Sequence, residues 1–280
     1  AANYKFLDYV RTLHDYMEVA FTNFFSERAT SNEIVTYSGG VAHNVCINTK
    51  IKKKFPKLII PPHCNDEGLS LGCIEFLRIN YNQPKFNKQD FPFWQTDVKP
   101  KFSVTKKTIK ETAEKLAQGK IIGWYQGHGE IGPRALGNRS ILMSPEVKNG
   151  KSILNDKVKH REDYRPFAAS ILSEDVEDFF DWQGESNFMK YSIKFKDKIF
   201  EPISHIDNTS RIQTVSNDVE ILETSDELRD SDTVKYNLTA IFDGVQETLL
   251  EKDKELLFEL TGSTDSENIS KSRIAFTVDA

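Results

Sequence analysis

The chain has 280 residues, 38% hydrophobic and 28% charged, a globular composition with room for one large domain or two ordinary ones. No apolar run approaches the roughly 20 residues of a membrane helix, and the opening AANYKFLDYVRTLHDYMEVAF lacks the basic-then-apolar order of a signal peptide. Cys46, Cys64 and Cys73 are too few for a disulfide framework and lack CxxC spacing, which points to a reducing, cytoplasmic setting, and a net charge of −5 argues against a general nucleic-acid coat.

Residues 4–28 read as a helix, because Phe6, Tyr9, Val10, Leu13, Met17, Ala20, Phe21 and Phe24 recur at three- and four-residue steps. Glu33–Tyr37 is a short β-rich run ending in Ser38-Gly39-Gly40. A second helix is expected over Val41–Lys54, a strand at Leu58-Ile59-Ile60 and a third helix over Gly68–Ile79. Strand, helix, strand, helix suggests an α/β unit with a parallel sheet. Residues 83–103 lack periodicity and read as a linker. A second unit follows: a helix over Lys106–Gln118, a strand over Lys120–Tyr125, and a Gly-rich loop at 126–140 that enters a helix. Strands are expected over Asp163–Leu172 and Lys190–Lys196, and a short helix over Val245–Leu260; the last twenty residues are mostly polar. Charge is uneven: residues 216–280 hold 16 acidic and 6 basic residues, a net of −10, which leaves +5 on residues 1–215. An anionic ligand belongs with the basic part, and the acidic end reads as a solvated surface.

Five segments carry the chemistry. In TYSGGVAHNVCINTKI (36–51), Gly39 and Gly40 stand where a strand gives way to a helix, which is either a plain turn or a place for a phosphate. Asn44 faces a ligand or lies on the polar face of the helix; His43 reads as a solvated helix residue. In PPHCNDEGLSLG (61–72), Asp66 is a metal ligand or an N-cap, and His63 and Cys64 have no partner at ligand spacing. In GWYQGHGEIGPRALGNRSILMSP (123–145), five glycines, Glu130, Arg134 and Arg139 suit a phosphate or carboxylate, with Pro133 opening a helix and a break near Gly137 letting both arginines face one anion. In NDKVKHREDYRPFAASIL (155–172), Lys157, Lys159, His160, Arg161 and Arg165 lead into an apolar strand. In HIDNTSRIQTV (205–215), alternation places His205, Asp207 and Thr209 on one face of an extended segment, suited to acid–base work or to a polar strand edge.

Taken in order, GEIGPRALGNRSIL, LNDKVKHREDYRPFAASIL and HIDNTSRIQTV resemble the C-terminal half of the carbamoyltransferases that decorate nodulation factors and several antibiotics. SGGVAHN and the Asp66 segment resemble the second lobe of that family's actin-like domain. The resemblance implies an α/β chain (α+β in its second domain): a partial actin-like lobe over 1–82, a linker over 83–103, a YrdC-like carbamoyl-phosphate and ATP domain over 104–215, and an acidic segment over 216–280. It implies an O-carbamoyltransferase, as a C-terminal part or short form, that activates carbamoyl phosphate with ATP to carbamoyladenylate and transfers the carbamoyl group to a small-molecule hydroxyl acceptor at a metal site. Arg134, Arg139, Lys159 and Arg165 would hold carbamoyl phosphate and the ATP phosphates, with Glu130 in the binding group. His205, Asp207 and Arg211 would line the same site. Gly39, Gly40 and Asn44 would touch a nucleotide or the adenylate, and Asp66 would ligate a divalent metal, with magnesium at the nucleotide and iron or manganese at transfer. No nucleic acid and no membrane partner is expected. Three departures stand out: no histidine pair at four-residue spacing, His128 where the family has Arg, and no Asn-Thr-Ser-Phe-Asn segment. They keep two other readings open, a non-catalytic nucleotide- or phosphate-binding subunit that needs an actin-like lobe from another chain, and a threonylcarbamoyl-adenylate enzyme of tRNA modification.

Overall fold

The structure is a computed structural model that describes residues 4–85, 91–95, 105–216 and 274–278. The expected helix over 245–260 lies outside these residues, as do 86–90 and 96–103 of the 83–103 segment. The chain divides into two compact units, Ala1–Lys85 with Lys190–Ser192, and Phe86–Met189 with Ile193–Ala280.

The first unit opens with α1 (Tyr4–Ser26). Strands β1 (Val35–Thr36) and β2 (Leu58–Ile59) pair in parallel, Val35 opposite Leu58, as the strand–helix–strand pattern requires. The helix expected from Val41 is divided. A 3-10 turn covers Gly40–His43, Asn44 is extended (φ −77°, ψ 97°), and α2 runs over Val45–Lys54. The break comes from Asn44, whose Oδ1 accepts from the backbone N–H of Cys46 at 3.2 Å and Ile47 at 3.1 Å, taking two otherwise orphaned donors of the helix start. Helix α3 (Gly68–Asn80) starts hard against His63: a Cβ on Gly68 would lie 2.2 Å from the His63 carbonyl oxygen, so only glycine fits. The core gathers Phe25, Tyr37, Ile47, Ile51, Phe55, Leu58 and Ile60. Lys190–Ser192 returns onto α2. The amide of Asn48, fully buried, donates to the carbonyls of Ala42 at 2.8 Å and Lys190 at 3.0 Å, and Ser192 N–H donates to Thr49 Oγ1 at 2.8 Å.

The second unit is built on one five-stranded sheet. Its elements are α4 (Lys106–Ala117), β3 (Ile122–Tyr125), β4 (Arg139–Met143), α5 (Gly150–Leu154), a π-turn at Asn155–Lys159, β5 (Ala168–Leu172), α6 (Val176–Phe179), β6 (Ile193–Lys194), β7 (Thr209–Ser210), β8 (Ile212–Val215) and β9 (Ile274–Val278). The sheet order is β3-β4-β9-β5-β8, antiparallel except for the parallel β5–β8 pair. The end of the chain, read as mostly polar, thus supplies the central strand. The mixture of helix and strand is the expected α/β class. No helix among the described residues is long and apolar enough to cross a membrane.

Three expected elements are corrected. The loop after β3 enters a strand, not a helix: residues 131–138 are bends and irregular backbone, and Arg139 opens β4. Residues 163–167 are irregular rather than strand, since Pro166 lacks a ladder donor and the Asn155 amide takes the Arg165 carbonyl at 3.0 Å. Of the strand expected over 190–196, only Ile193–Lys194 is one, because Lys190–Ser192 is held by α2.

Helix α4 packs on the sheet through Ala113 and Leu116 against Trp124 and Leu142. Leu142 is fully buried, so Leu142→Ala is expected to cost about 2–5 kcal/mol of stability, read as a lowered urea midpoint at unchanged slope.

Candidate functional site

The loop between β3 and β4 is pinned by one carboxylate. Glu130 is buried, and its Oε1 accepts from the backbone N–H of Leu136 at 2.8 Å, Asn138 at 2.7 Å and Arg139 at 3.2 Å. Gly132 (φ 106°) and Gly137 (φ 119°) take backbone conformations that side-chain-bearing residues rarely adopt, which lets the chain wrap around that oxygen. Arg139 closes the loop from the other side. Its Nη1 donates to the carbonyls of Gln126 at 2.6 Å and Asn138 at 3.0 Å, its Nη2 to that of Gly127 at 3.1 Å, and its guanidinium lies 3.6 Å from the Tyr125 ring centroid. Asn138 adds two bonds, donating to the His128 carbonyl at 2.7 Å and accepting from Gln126 Nε2 at 2.9 Å. Residues 91–95 brace the loop: Ile131 N–H donates to Pro92 O at 2.8 Å, Gln95 N–H to Gly129 O at 3.1 Å, and His128 Nδ1 lies 3.1 Å from Gln95 O. Arg134 is half-buried between the two glycines.

One side-chain bond ties the 205–215 segment to this loop, and a main-chain bond ties that segment in turn to β5. Gln213 on β8 donates to Leu136 O at 2.8 Å, and Ala169 N–H on β5 donates to the carbonyl of Arg211 at 3.0 Å. Lys159 ends the π-turn, followed by His160 at φ 48°. Arg161 lies 4.7 Å over the Phe167 ring and donates to Asn155 Oδ1 at 2.8 Å, so it braces the segment. Arg165 is exposed, 3.7 Å from Glu162. The cationic run therefore divides into a bracing residue, Arg161, and outward groups such as Arg165 and Lys157.

Residues 204–208 form a turn rather than the expected extended segment, with Asn208 at φ 58°. The turn brings His205 and Asp207 together on Thr209, which simple alternation would not. Asp207 Oδ1 accepts from Thr209 N–H at 3.2 Å and from its hydroxyl at 2.7 Å. That hydroxyl has one proton and gives it to Asp207, so its oxygen accepts from His205 Nδ1–H at 2.9 Å. The neutral ring is thus assigned as the Nδ1–H tautomer, with the Nε2 lone pair left to accept a proton or hydrogen bond. Burial lowers the His205 pKa, and the positive charges of Arg211 and Lys151 lower it further against the opposing pull of Asp207.

In the first unit, Gly39 sits at φ 113° and donates its N–H to Cys64 O at 2.6 Å. A Cβ on Gly39 or Gly40 would meet nothing within 4 Å, so the glycine pair borders open space. Asn44 is engaged at both ends. Its oxygen caps α2 and its amide donates to His14 Nε2 at 2.9 Å; the ring's Nδ1 lies 3.6 Å from the buried Glu18, which pairs with Lys50. Asp66 is exposed and caps nothing: α3 follows Glu67 with no side-chain cap. Among the described residues, the ligand-type side chains that cluster are His14, Asp15 and Glu18, not Asp66. His43, read as solvated, is half-buried between Cys64 and Lys190, with Nε2 3.8 Å from Cys64 Sγ and Nδ1 3.3 Å from Lys190 Nζ. Burial, then the Lys190 charge, lowers the pKa of neighbouring His63. Sequence reasoning did not single out Gln126, Asn138, Lys151 or Lys190 as site residues, and no local pattern marks them.

The family described as Carbamoyltransferase C-terminus matches residues 113–255, just over half of the chain. Among curated relatives, nodulation protein NolNO of Sinorhizobium fredii is 34% identical over 210 residues, 66% of this chain and 31% of that protein. NolO of Bradyrhizobium diazoefficiens is 33% identical over 214 residues, 68% of this chain and 39% of that protein. The 3'-hydroxymethylcephem-O-carbamoyltransferase of Amycolatopsis lactamdurans is 32% identical over 168 residues, 58% of this chain and 32% of that protein. The chain spans about a third of the length of these relatives.

Two outcomes follow from the geometry. Glu130→Gln keeps the shape but removes the charge from three hydrogen bonds, and is expected to cost about 1.5–3 kcal/mol in denaturant unfolding. His205 is expected to titrate below the ordinary histidine value in a histidine-resolved NMR titration, and lower still in Asp207→Asn, which removes the one influence that raises it. The sign for stability is fixed by that direction: the contribution of neutral His205 is complete above the unfolded-state pKa of about 6.5 and is lost as pH falls toward the lowered folded value.

Proposed function

Since the chain belongs to the carbamoyltransferase family, through the portion described as its C-terminus, we propose that it carries the site where carbamoyl phosphate is activated with ATP for carbamoylation of a hydroxyl acceptor. The observation that carries this reading is the Glu130-pinned loop, held rigid by an acid on its N–H groups and an arginine on its carbonyls, with Arg134 between its glycines. Both substrates are phosphate-rich anions. Cations held in place before the ligand arrives stabilise charge on phosphoryl oxygens without reorganising as it develops. Arg134, Lys159, Arg165 and Arg211 are the groups assigned to those oxygens. Arg139 and Glu130 act by positioning the loop. His205, with its Nε2 lone pair, is assigned to accept a hydrogen bond or proton from the carbamoyl end, and Asp207 and Thr209 hold its tautomer. Lys151, which lies 3.1 Å from Glu201, keeps positive charge near that ring.

The glycine pair at 39–40 is assigned to the nucleotide or adenylate of the same reaction, because the space above it is open. Asn44 then serves by holding the turn rather than by touching the ligand. Asp66 is a single exposed carboxylate, and among the described residues the ligand-type side chains that cluster are His14, Asp15 and Glu18, so a divalent metal at Asp66 would complete its shell with water and substrate phosphates. No step is derived through one. A second reading, a phosphate-binding part that works with another chain, is favoured by α3, which buries none of its apolar residues and leaves Leu69, Phe76 and Ile79 exposed.

The test is carbamoyl-phosphate-dependent exchange of labelled pyrophosphate into ATP. Arg134→Ala is expected to lower exchange at least about tenfold, the loss of one charge-assisted hydrogen bond, at unchanged circular dichroism. No exchange and no ATP binding by calorimetry in the parent chain would favour the second reading. Exchange that survives both Arg134→Ala and Lys159→Ala would remove the site from the loop.

A further inference from the structure

A second cluster lies in the first unit and plays no part in the chemistry proposed above. Cys64 and Lys190 are both buried, and the Lys190 Nζ sits 3.3 Å from Cys64 Sγ, 3.3 Å from His43 Nδ1 and 3.2 Å from the Pro62 carbonyl oxygen. Both residues are anchored through their backbones. The Cys64 carbonyl accepts from Gly39 N–H at 2.6 Å and Ser38 Oγ at 3.2 Å, and the Lys190 carbonyl accepts from Asn48 Nδ2 at 3.0 Å. The sulfur and nitrogen are therefore held together rather than meeting by chance, as a reactive pair requires. The Tyr37 hydroxyl is buried without a hydrogen-bond partner among the described residues, close enough to Cys64 that, after burial, the cysteine is what raises its pKa, to about 12. It is an unused donor beside the sulfur.

We propose that Cys64 and Lys190 are a modification site, at which peroxide joins Sγ and Nζ through one inserted oxygen as an S–O–N cross-link. The chemistry balances. One hydrogen peroxide oxidises the thiol to a sulfenic acid and leaves as water, breaking its O–O bond and forming S–O. A second peroxide takes two electrons as the S–O–N link closes between the sulfenic oxygen and the lysine nitrogen. The sulfenic proton and one amine proton leave with it, giving two further waters. Sulfur and nitrogen are each oxidised by two electrons, and the extra ammonium proton goes to solvent. Tyr37 can donate to the added oxygen. The bond would tie Lys190–Ser192 covalently to the segment between β2 and α3.

The experiment uses the full chain with Cys46→Ser and Cys73→Ser, so that Cys64 is the only thiol. After hydrogen peroxide, intact-mass and peptide mapping are expected to show a gain of one oxygen less two hydrogens. The peptides carrying Cys64 and Lys190 should be joined, with cleavage after Lys190 blocked and dithiothreitol restoring both. Lys190→Arg keeps the cation but should leave only oxidised, unlinked Cys64. A gain of whole oxygens on Cys64 without a link in the parent, no change at peroxide levels that oxidise Cys73 in the unsubstituted chain, or a link that persists in Lys190→Arg would each overturn the proposal.

Discussion

One carboxylate oxygen organises the second unit. Glu130 gathers three N–H groups from residues 136–139 that no helix or strand partner would otherwise take at that turn. Once it does, the chain must reverse around it, Gly132 and Gly137 must take their positive φ, and Arg139 must leave the loop in the direction of β4. Arg139 then turns its guanidinium back on the carbonyls the acid could not satisfy. The acid satisfies donors and the base satisfies acceptors of the same loop, so neither charge lies unpaired in the interior. A loop neutralised in this way from within is held in shape by its own side chains.

The first unit uses a similar economy on a smaller scale. Asn44 links the cap of α2 to His14 on α1, and through Glu18 to Lys50 on α2. A residue with two donors and an acceptor is well suited to a junction of this kind, and it explains why the helix starts at Val45 and not at the glycines.

The long periodic helices were legible in the sequence because their signal is local: α1 and α4 follow directly from apolar spacing. The parallel β1–β2 pair was legible from the order of elements. The loop at 126–139 was misread as a helix entry because Pro133 after glycine is a local helix signal, while the force that overrides it comes from a side chain reaching eight residues onward in the chain. His205 and Asp207 were legible as a pair, but their meeting point on Thr209 depends on a turn that alternation does not describe. The resemblance to a family supplied the cationic residues; it did not mark Arg139 and Arg161 as the ones that brace the fold. Cys64 and Lys190 stand far apart in sequence and share no motif, so only the fold could bring them together.

The order of the sheet sets a schedule for the chain's birth. Strands β4 and β5 flank β9, which begins at Ile274, more than one hundred residues after Leu172 closes β5. While the ribosome is still adding those residues, β4 and β5 each present an open backbone edge facing the gap that β9 will fill, and open edges invite pairing with other chains. Pairing across so long a separation in sequence is slow compared with forming α4 against β3. The nascent second unit therefore waits half-made through most of its synthesis, and its yield in a cell depends on what shields that gap until the last strand arrives.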